Sequence, residues 1–379
     1  MIRHSEKTST QTLSCKINGE VVKKPRNSNL ELYRIVCMLM IVAHHYAADF
    51  GIYATGDLLL VNPDCANSEF LRIFGAWGKT GINCYLMITG YYMCNSKITI
   101  RKFLKLLLQV YFYRLILFPI FFLAGYESIS PERLLRLLMP IWGLYNNFTS
   151  CFIVFYLTIP YLSILVHNMT KRQHELLIIL LLLCYTILGS VPKFNITFNY
   201  VTWFGVLFFV ASYIRLYPKS IFERKSLWGW LTLFSVALAS MSIPIMHHLF
   251  GISNFFVADS NKIFAVTIAV CSFLWFKNMK IKQSKLINVI GASTFGVLLI
   301  HTNPGVRSWL WRDEMNIIDH FSMPLYMFIL FSIAVVLTVF LVCILIDQLR
   351  AKFIENPYFK WYDTHLSEVL NMKFDNFLK

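Results

Sequence analysis

Charge is what this sequence has least of. Of 379 residues only 15% are Asp, Glu, Lys or Arg, against 57% hydrophobic, so the polar exterior of a soluble domain of this length cannot be assembled. Segments of about 20 apolar residues recur from residue 30 to residue 348, the length a helix needs to cross hydrocarbon. The lipid bilayer is therefore the expected solvent. No Cys-x-x-Cys pair occurs among the nine cysteines, and Cys37, Cys84, Cys151, Cys184, Cys271 and Cys343 sit in apolar segments. They read as small core residues, and no metal site is expected. Also missing are a Gly/Ser linker and an internal repeat, which leaves one membrane domain as the economical reading. The first 28 residues have no short apolar stretch with a small-residue cleavage site. A polar cytoplasmic tail is expected there, followed by a first helix acting as an uncleaved anchor.

What is present in excess is positive charge, a formal net +15. The basic residues alternate with hydrophobic spans instead of forming one stripe, which argues against a nucleic-acid partner and for membrane topology. Ten spans are expected, near 30–49, 74–94, 103–125, 149–167, 175–191, 201–215, 228–248, 262–277, 286–303 and 324–347. Basic loops stay cytoplasmic. With the N-terminus inside, about 25 Lys and Arg fall on the inner side, whereas the outer loops hold Arg72, Arg133, Arg136, Lys193, Lys262, Arg307 and Arg312. The expected fold is thus all-α and polytopic, with both termini cytoplasmic: a tail over 1–28, a transmembrane domain over 29–348 and a tail over 349–379.

Ionisable groups within a span cost roughly 2.5 kcal/mol or more at the centre, so each one retained there asks for a role. The first span contains Glu31, Arg34, His44 and His45. Arg34 and His45 are eleven residues apart, three turns plus roughly 20°, and so share one helical face about 16 Å apart along the axis. Asp49, four residues on, falls on the same face, where it would hold one ring nitrogen of His45 while the other acts as a base. Against this stands the plainer reading that Arg34 reaches to the interface and the His pair ends a helix at the outer surface. Arg101, Lys102 and Lys105 open the third span; they suit phosphates, or simply obey the positive-inside rule. Arg114, deeper in that span, has no evident partner and is expected to pair with a carboxylate. His301 ends the ninth span before Pro304; it either binds a polar acceptor or caps a helix end. Asn83 lies in a second span of small and polar residues that allow close helix approach.

Taken together, these residues resemble the bacterial acyltransferase-3 family of membrane O-acyltransferases. The likeness rests on Arg34-x10-His45 with an acidic residue three before the Arg, and on the Gly-flanked run Gly78-Lys-Thr-Gly-Ile-Asn-Cys-Tyr-Leu-Met-Ile-Thr-Gly90. Lys102-x-x-Lys105 stands at the family's Arg-x-x-Arg position, and the run Ser293 to Pro304 completes it. The likeness covers about residues 28 to 350. Lysine replaces both arginines, Thr89 stands where serine is common and Leu298 where tyrosine is; Lys keeps the charge but not the planar fork. The resemblance implies transfer of an acyl group, acetyl first among them, from acyl-CoA to a hydroxyl of a cell-surface or lipid-linked carbohydrate. It implies His45 and Arg34 as catalytic residues and Lys102 and Lys105 as donor-binding residues; helical spacing adds Asp49 as the orienter of His45, Arg101 joins the donor-binding cluster, and His301 and Asn83 are expected to bind the acceptor. Acyl-CoA would be a substrate, with no permanently bound cofactor. The stand-alone form, a bacterial cytoplasmic membrane and polysaccharide-synthesis machinery as a partner are expectations of the same kind. Intramembrane Arg and His also line transport paths, so a transporter or flippase for a polysaccharide or lipid-linked sugar, or a polymerase, remains a rival reading.

Overall fold

The computed structural model describes residues 16–17, 20–21, 26–48, 65–142, 144, 147–194, 196–252, 254–367 and 370. Apart from a two-residue antiparallel ladder pairing Lys16–Ile17 with Glu20–Val21, the described elements are helices. Helix α1 is Ser28–Ala47, α2 Ala66–Phe74, α3 Gly78–Met93, α4 Ile100–Leu123 and α5 Pro131–Leu138. Next come α6 Phe148–Asn168, α7 Lys171–Leu182, α8 Tyr200–Leu216, α9 Lys225–Phe250 and α10 Ile263–Lys277. The chain closes with α11 Lys285–His301, α12 Pro304–Trp309, α13 Ile317–His320, α14 Leu325–Arg350 and α15 Asn356–His365.

Several helices start at a residue whose side chain satisfies an orphan backbone donor. Asn27 caps α1, Thr99 caps α4, Asn147 caps α6, and Thr170 with Gln173 forms a reciprocal capping box on α7. Gly251 ends α9 in a left-handed conformation at φ 66°, which a residue with a Cβ adopts only under strain.

Among the described residues six helices are long and apolar enough to cross a bilayer: α1, α4, α6, α7 continued through a wider and then a tighter turn to Ser190, α9, and α14 continued to His365. A seventh candidate is α11 joined to the helical stretch from Pro304 to His320 through a 75° bend. Prolines 119, 160 and 244 sit inside α4, α6 and α9, a placement membrane helices tolerate. Large apolar side chains such as Leu233, Phe234, Met241, Leu341 and Leu345 point outward on α9 and α14, where a soluble protein would need charge.

Helix α8 spans 17 residues, about 25 Å, less than the hydrocarbon thickness of about 30 Å. It nonetheless packs inside the bundle, with Trp203, Phe204, Leu207, Phe208 and Ala211 fully buried, so its neighbours rather than lipid set the length it needs. Helix α1 is also central: 56% of its apolar window is buried, against 17% for the α7 span on the periphery. Two apolar cores result. One gathers Cys84, Phe155, Trp203, Phe208 and Phe273, and the other gathers Met38, Val42, Val297, Trp311, Phe328 and Phe340. Five of the six cysteines read as core residues are buried, but Cys184 faces outward on the peripheral span.

Small residues let α1 and its neighbours approach. A Cβ added at Gly81 would come within 2.9 Å of the Cys37 carbonyl, and one at Gly78 within 2.3 Å of the His44 ring. The first residue of α3 is therefore glycine because an imidazole occupies the space where a side chain would start. That contact also fixes His44 from one side.

Candidate active site

His44 and His45 lie on the last turn of α1, and His301 on the last turn of α11. The 75° bend that follows His301, with Asn303 capping Pro304–Trp309, ends α11 at this level. His301 is fully buried, and its Nδ1 is 2.6 Å from the Val297 carbonyl oxygen. A carbonyl only accepts, so that nitrogen must carry the hydrogen. In the neutral ring Nε2 is then the acceptor, and it lies 2.8 Å from Nδ1 of His45. Nδ1 of His45 must therefore donate to it, which leaves the lone pair on Nε2 of His45. One backbone carbonyl, acting through two imidazoles, selects the tautomer that a general base needs. His44 donates from Nδ1 to the Gly75 carbonyl at 2.6 Å, and this bond joins the packing against Gly78 in holding its ring.

His45 and His44 line a cavity of about 340 Å³ whose walls include Met38, Lys79, Tyr85, Tyr200, Thr302 and Arg307. Among the described residues neither Asp nor Glu contributes to its lining. Lys79 donates to the Tyr200 hydroxyl and stands 3.9 Å from Asp259. Lys79 and Arg307 on the cavity wall are the kind of positive charge that stabilises developing negative charge. Tyr85 spans the wall and meets Thr294 through its hydroxyl.

At the opposite end of α1, Arg34 donates to Glu31 at 2.9 Å, and Arg26 reaches the same carboxylate oxygen at 3.3 Å. Arg34 and His45 are thus separated along α1 with the apolar wall between them. The candidate donor-binding cations share the first turns of α4, each with its own partner. Arg101 makes a two-pronged contact with Asp363 at 2.7 and 2.9 Å, and Lys105 meets Glu355 at 2.5 Å. Lys102 donates to Ser96 Oγ and to the Lys97 carbonyl.

The structure separates residues that sequence reasoning had grouped. Asn83 does not line the cavity: it is fully buried, donates to the Ser260 carbonyl at 2.7 Å and accepts from Trp203 Nε1 at 2.9 Å. Its amide ties α3 to α8 and to the turn before α10, away from the cavity wall. His301 faces His45 rather than open space. Asp49, expected to orient His45, lies outside the described residues. Arg114 pairs with no carboxylate among them; it donates to the carbonyls of Arg136 and Met139 at the C-terminal end of α5.

Sequence reasoning missed one further cluster. Asp347, buried on α14, accepts from Gln109, Tyr113 and Arg350, and Arg350 continues to Glu355 and thence to Lys105. An aspartate inside the most apolar helix was the available signal. Gly296 of α11 faces it so closely that a Cβ would come within 2.2 Å of its carboxylate.

Comparison with known proteins returns one match: the family model described as an acyltransferase domain, over residues 27–347. No curated protein and no solved structure matches the chain. The matched stretch takes in the helices that carry His45, His301 and the cavity walls.

Proposed function

The chain belongs to the acyltransferase-3 family, which makes it a membrane acyltransferase, and on that premise we propose that it moves an acyl group, acetyl in the first instance, from acyl-CoA to a carbohydrate hydroxyl. The observation that carries this reading is the Val297–His301–His45 relay, which leaves Nε2 of His45 as an acceptor at a cavity wall. Nε2 takes the proton of the acceptor hydroxyl as its oxygen attacks the thioester carbonyl carbon. The new C–O bond forms, the C–S bond breaks, and the imidazolium returns its proton to the departing coenzyme thiolate. While His45 is cationic its Nδ1–H still donates to His301, so the same bond serves both protonation states. Lys79 and Arg307 supply positive charge on the cavity wall for the oxyanion of the tetrahedral intermediate.

In this reading ten helices cross the cytoplasmic membrane with both termini inside, and the Arg34 end of α1 faces the cytoplasm, where acyl-CoA resides. Arg34, Arg101, Lys102 and Lys105 would attract coenzyme phosphates at that face. The carbohydrate acceptor approaches the His45 cavity from the opposite side.

The test is transfer of label from acetyl-CoA into glycan in membranes carrying wild-type protein or His45→Ala at matched expression. Label lost in the variant is expected. Equal labelling in both removes His45 from the chemistry, and no labelling in either across several acyl donors overturns the acyl-transfer reading.

A further inference from the structure

A second cavity, about 180 Å³, adjoins the His45 cavity and shares Asn147, Thr149 and Thr302 with it. Among the described residues its charged lining consists of Arg114, Arg133 and Arg136, with no Asp or Glu. These arginines come from two elements. Arg114 stands inside α4, where an unneutralised guanidinium is expensive, and its described hydrogen bonds go to two backbone carbonyls. Arg133 and Arg136 stand on α5, paired with Glu127 and Glu132 respectively. Helix α5 packs no side chain into the core: Leu134, Leu135 and Leu138 are all exposed, as are Met139, Ile141 and Trp142 beyond its end. A short helix with arginines turned to a cavity and leucines turned outward suits the headgroup layer of a bilayer, lying in its plane.

From this arrangement we infer that the arginine cavity holds the phosphate of a lipid-linked carbohydrate acceptor, its hydrocarbon chain lying along the leucine face of α5 and its sugar entering the His45 cavity through the shared wall. Guanidinium groups match phosphate oxygens through parallel N–H donors. The Arg114 fork keeps donors for a ligand, because two backbone carbonyls occupy one terminal nitrogen only. The shared residues set the geometry: a sugar directly attached to a phosphate in one cavity has its hydroxyls in the other. The sugar's role rests on the acyl-transfer reading above, whereas the phosphate site does not.

The experiment is thermal unfolding of the full chain in dodecyl maltoside micelles, which contain no phosphate, titrated with farnesyl phosphate, farnesol, inorganic phosphate or coenzyme A. Farnesyl phosphate is expected to raise the unfolding temperature saturably, and farnesol is not. Arg136→Gln, at a half-exposed position on the cavity side of α5, and Arg114→Lys, which keeps the charge but loses the fork, should each weaken apparent affinity at least tenfold. Because Arg136→Gln removes nothing buried, an unfolded Arg114 variant would not leave the proposal without a test. Equal shifts by farnesol, or unaltered affinity in Arg136→Gln, overturn it. Competition by coenzyme A at equal concentration reassigns the cavity to the acyl donor, and competition by inorganic phosphate reassigns it to free phosphate; either result overturns the lipid-linked reading. His45→Ala separates the two claims. Farnesyl phosphate binding kept while transfer is lost supports both. Binding absent from a wild type that still transfers acyl groups overturns this inference alone, and binding present with transfer unchanged in His45→Ala overturns only the catalytic reading.

Discussion

Replacing His301 separates two roles that its position allows. Its Nε2 accepts the Nδ1–H of His45 at 2.8 Å, and the pair sits where the His301 ring is fully buried. In His301→Leu that N–H loses its partner in a setting with little water, at a cost of about 1–3 kcal/mol. The alternative tautomer, with the hydrogen on Nε2 facing the cavity, then competes and is useless as a base. If the full cost falls on the transition state, kcat drops roughly 5- to 150-fold at 1.36 kcal/mol per decade, only part of the about 10²–10⁴ that general-base catalysis contributes as a whole. His301→Gln, whose amide oxygen can accept the same hydrogen, should retain more of the rate than His301→Leu. The assay is steady-state acetyl transfer with purified protein in micelles, with kcat and the acceptor KM resolved separately. A tautomer-setting residue lowers kcat and leaves KM nearly constant, whereas an acceptor-binding residue raises KM. Rates within twofold of wild type in His301→Leu, or a loss confined to acceptor KM, would refute the relay.

Two further outcomes follow from the ion pairs. Asp347→Ala strips Arg350 of one partner and leaves the Tyr113 hydroxyl and Gln109 amide without their acceptor; the expected destabilisation is about 3–5 kcal/mol, read as a lowered unfolding temperature with wild-type protein in the same detergent as reference. Arg101→Gln breaks an ion pair whose side chains are 38% and 48% exposed, so the unfolding temperature should hardly move, in keeping with at most about 1 kcal/mol for such pairs; a rise in the acyl-CoA KM would mark Arg101 as a donor ligand, and an unchanged KM would leave it as the anchor of α15 alone.

The helices and the sharing of one face by Arg34 and His45 were legible in sequence, because both follow from short-range rules. Hydrocarbon demands about 20 apolar residues per crossing, and the helical repeat places residues eleven apart on one side. Family membership was legible for the same reason, since its motifs are local strings. The end of α11 was also readable: Pro304 marks a break, and the helix stops at His301.

The partner of that histidine was not. His301 stands 256 positions from His45, and no periodicity within either helix says that their ends meet or which nitrogen faces which. Asn83, expected to bind the acceptor, has its amide bridging Ser260 and Trp203 on other elements. Arg114 called for a carboxylate because a charge in hydrocarbon needs neutralising, but among the described residues the carbonyls at the end of α5, 22 and 25 residues on, serve instead. Composition and helical period therefore determined that this chain lives in a bilayer and which residues could face one another along a single helix. Only the packing of α1 against α11 decided which imidazole carries the lone pair, and only the packing of α4, α5 and α6 around the end of α11 placed the second cavity beside the first, since hydrogen-bond partners and enclosed volumes arise between helices and leave no mark within one.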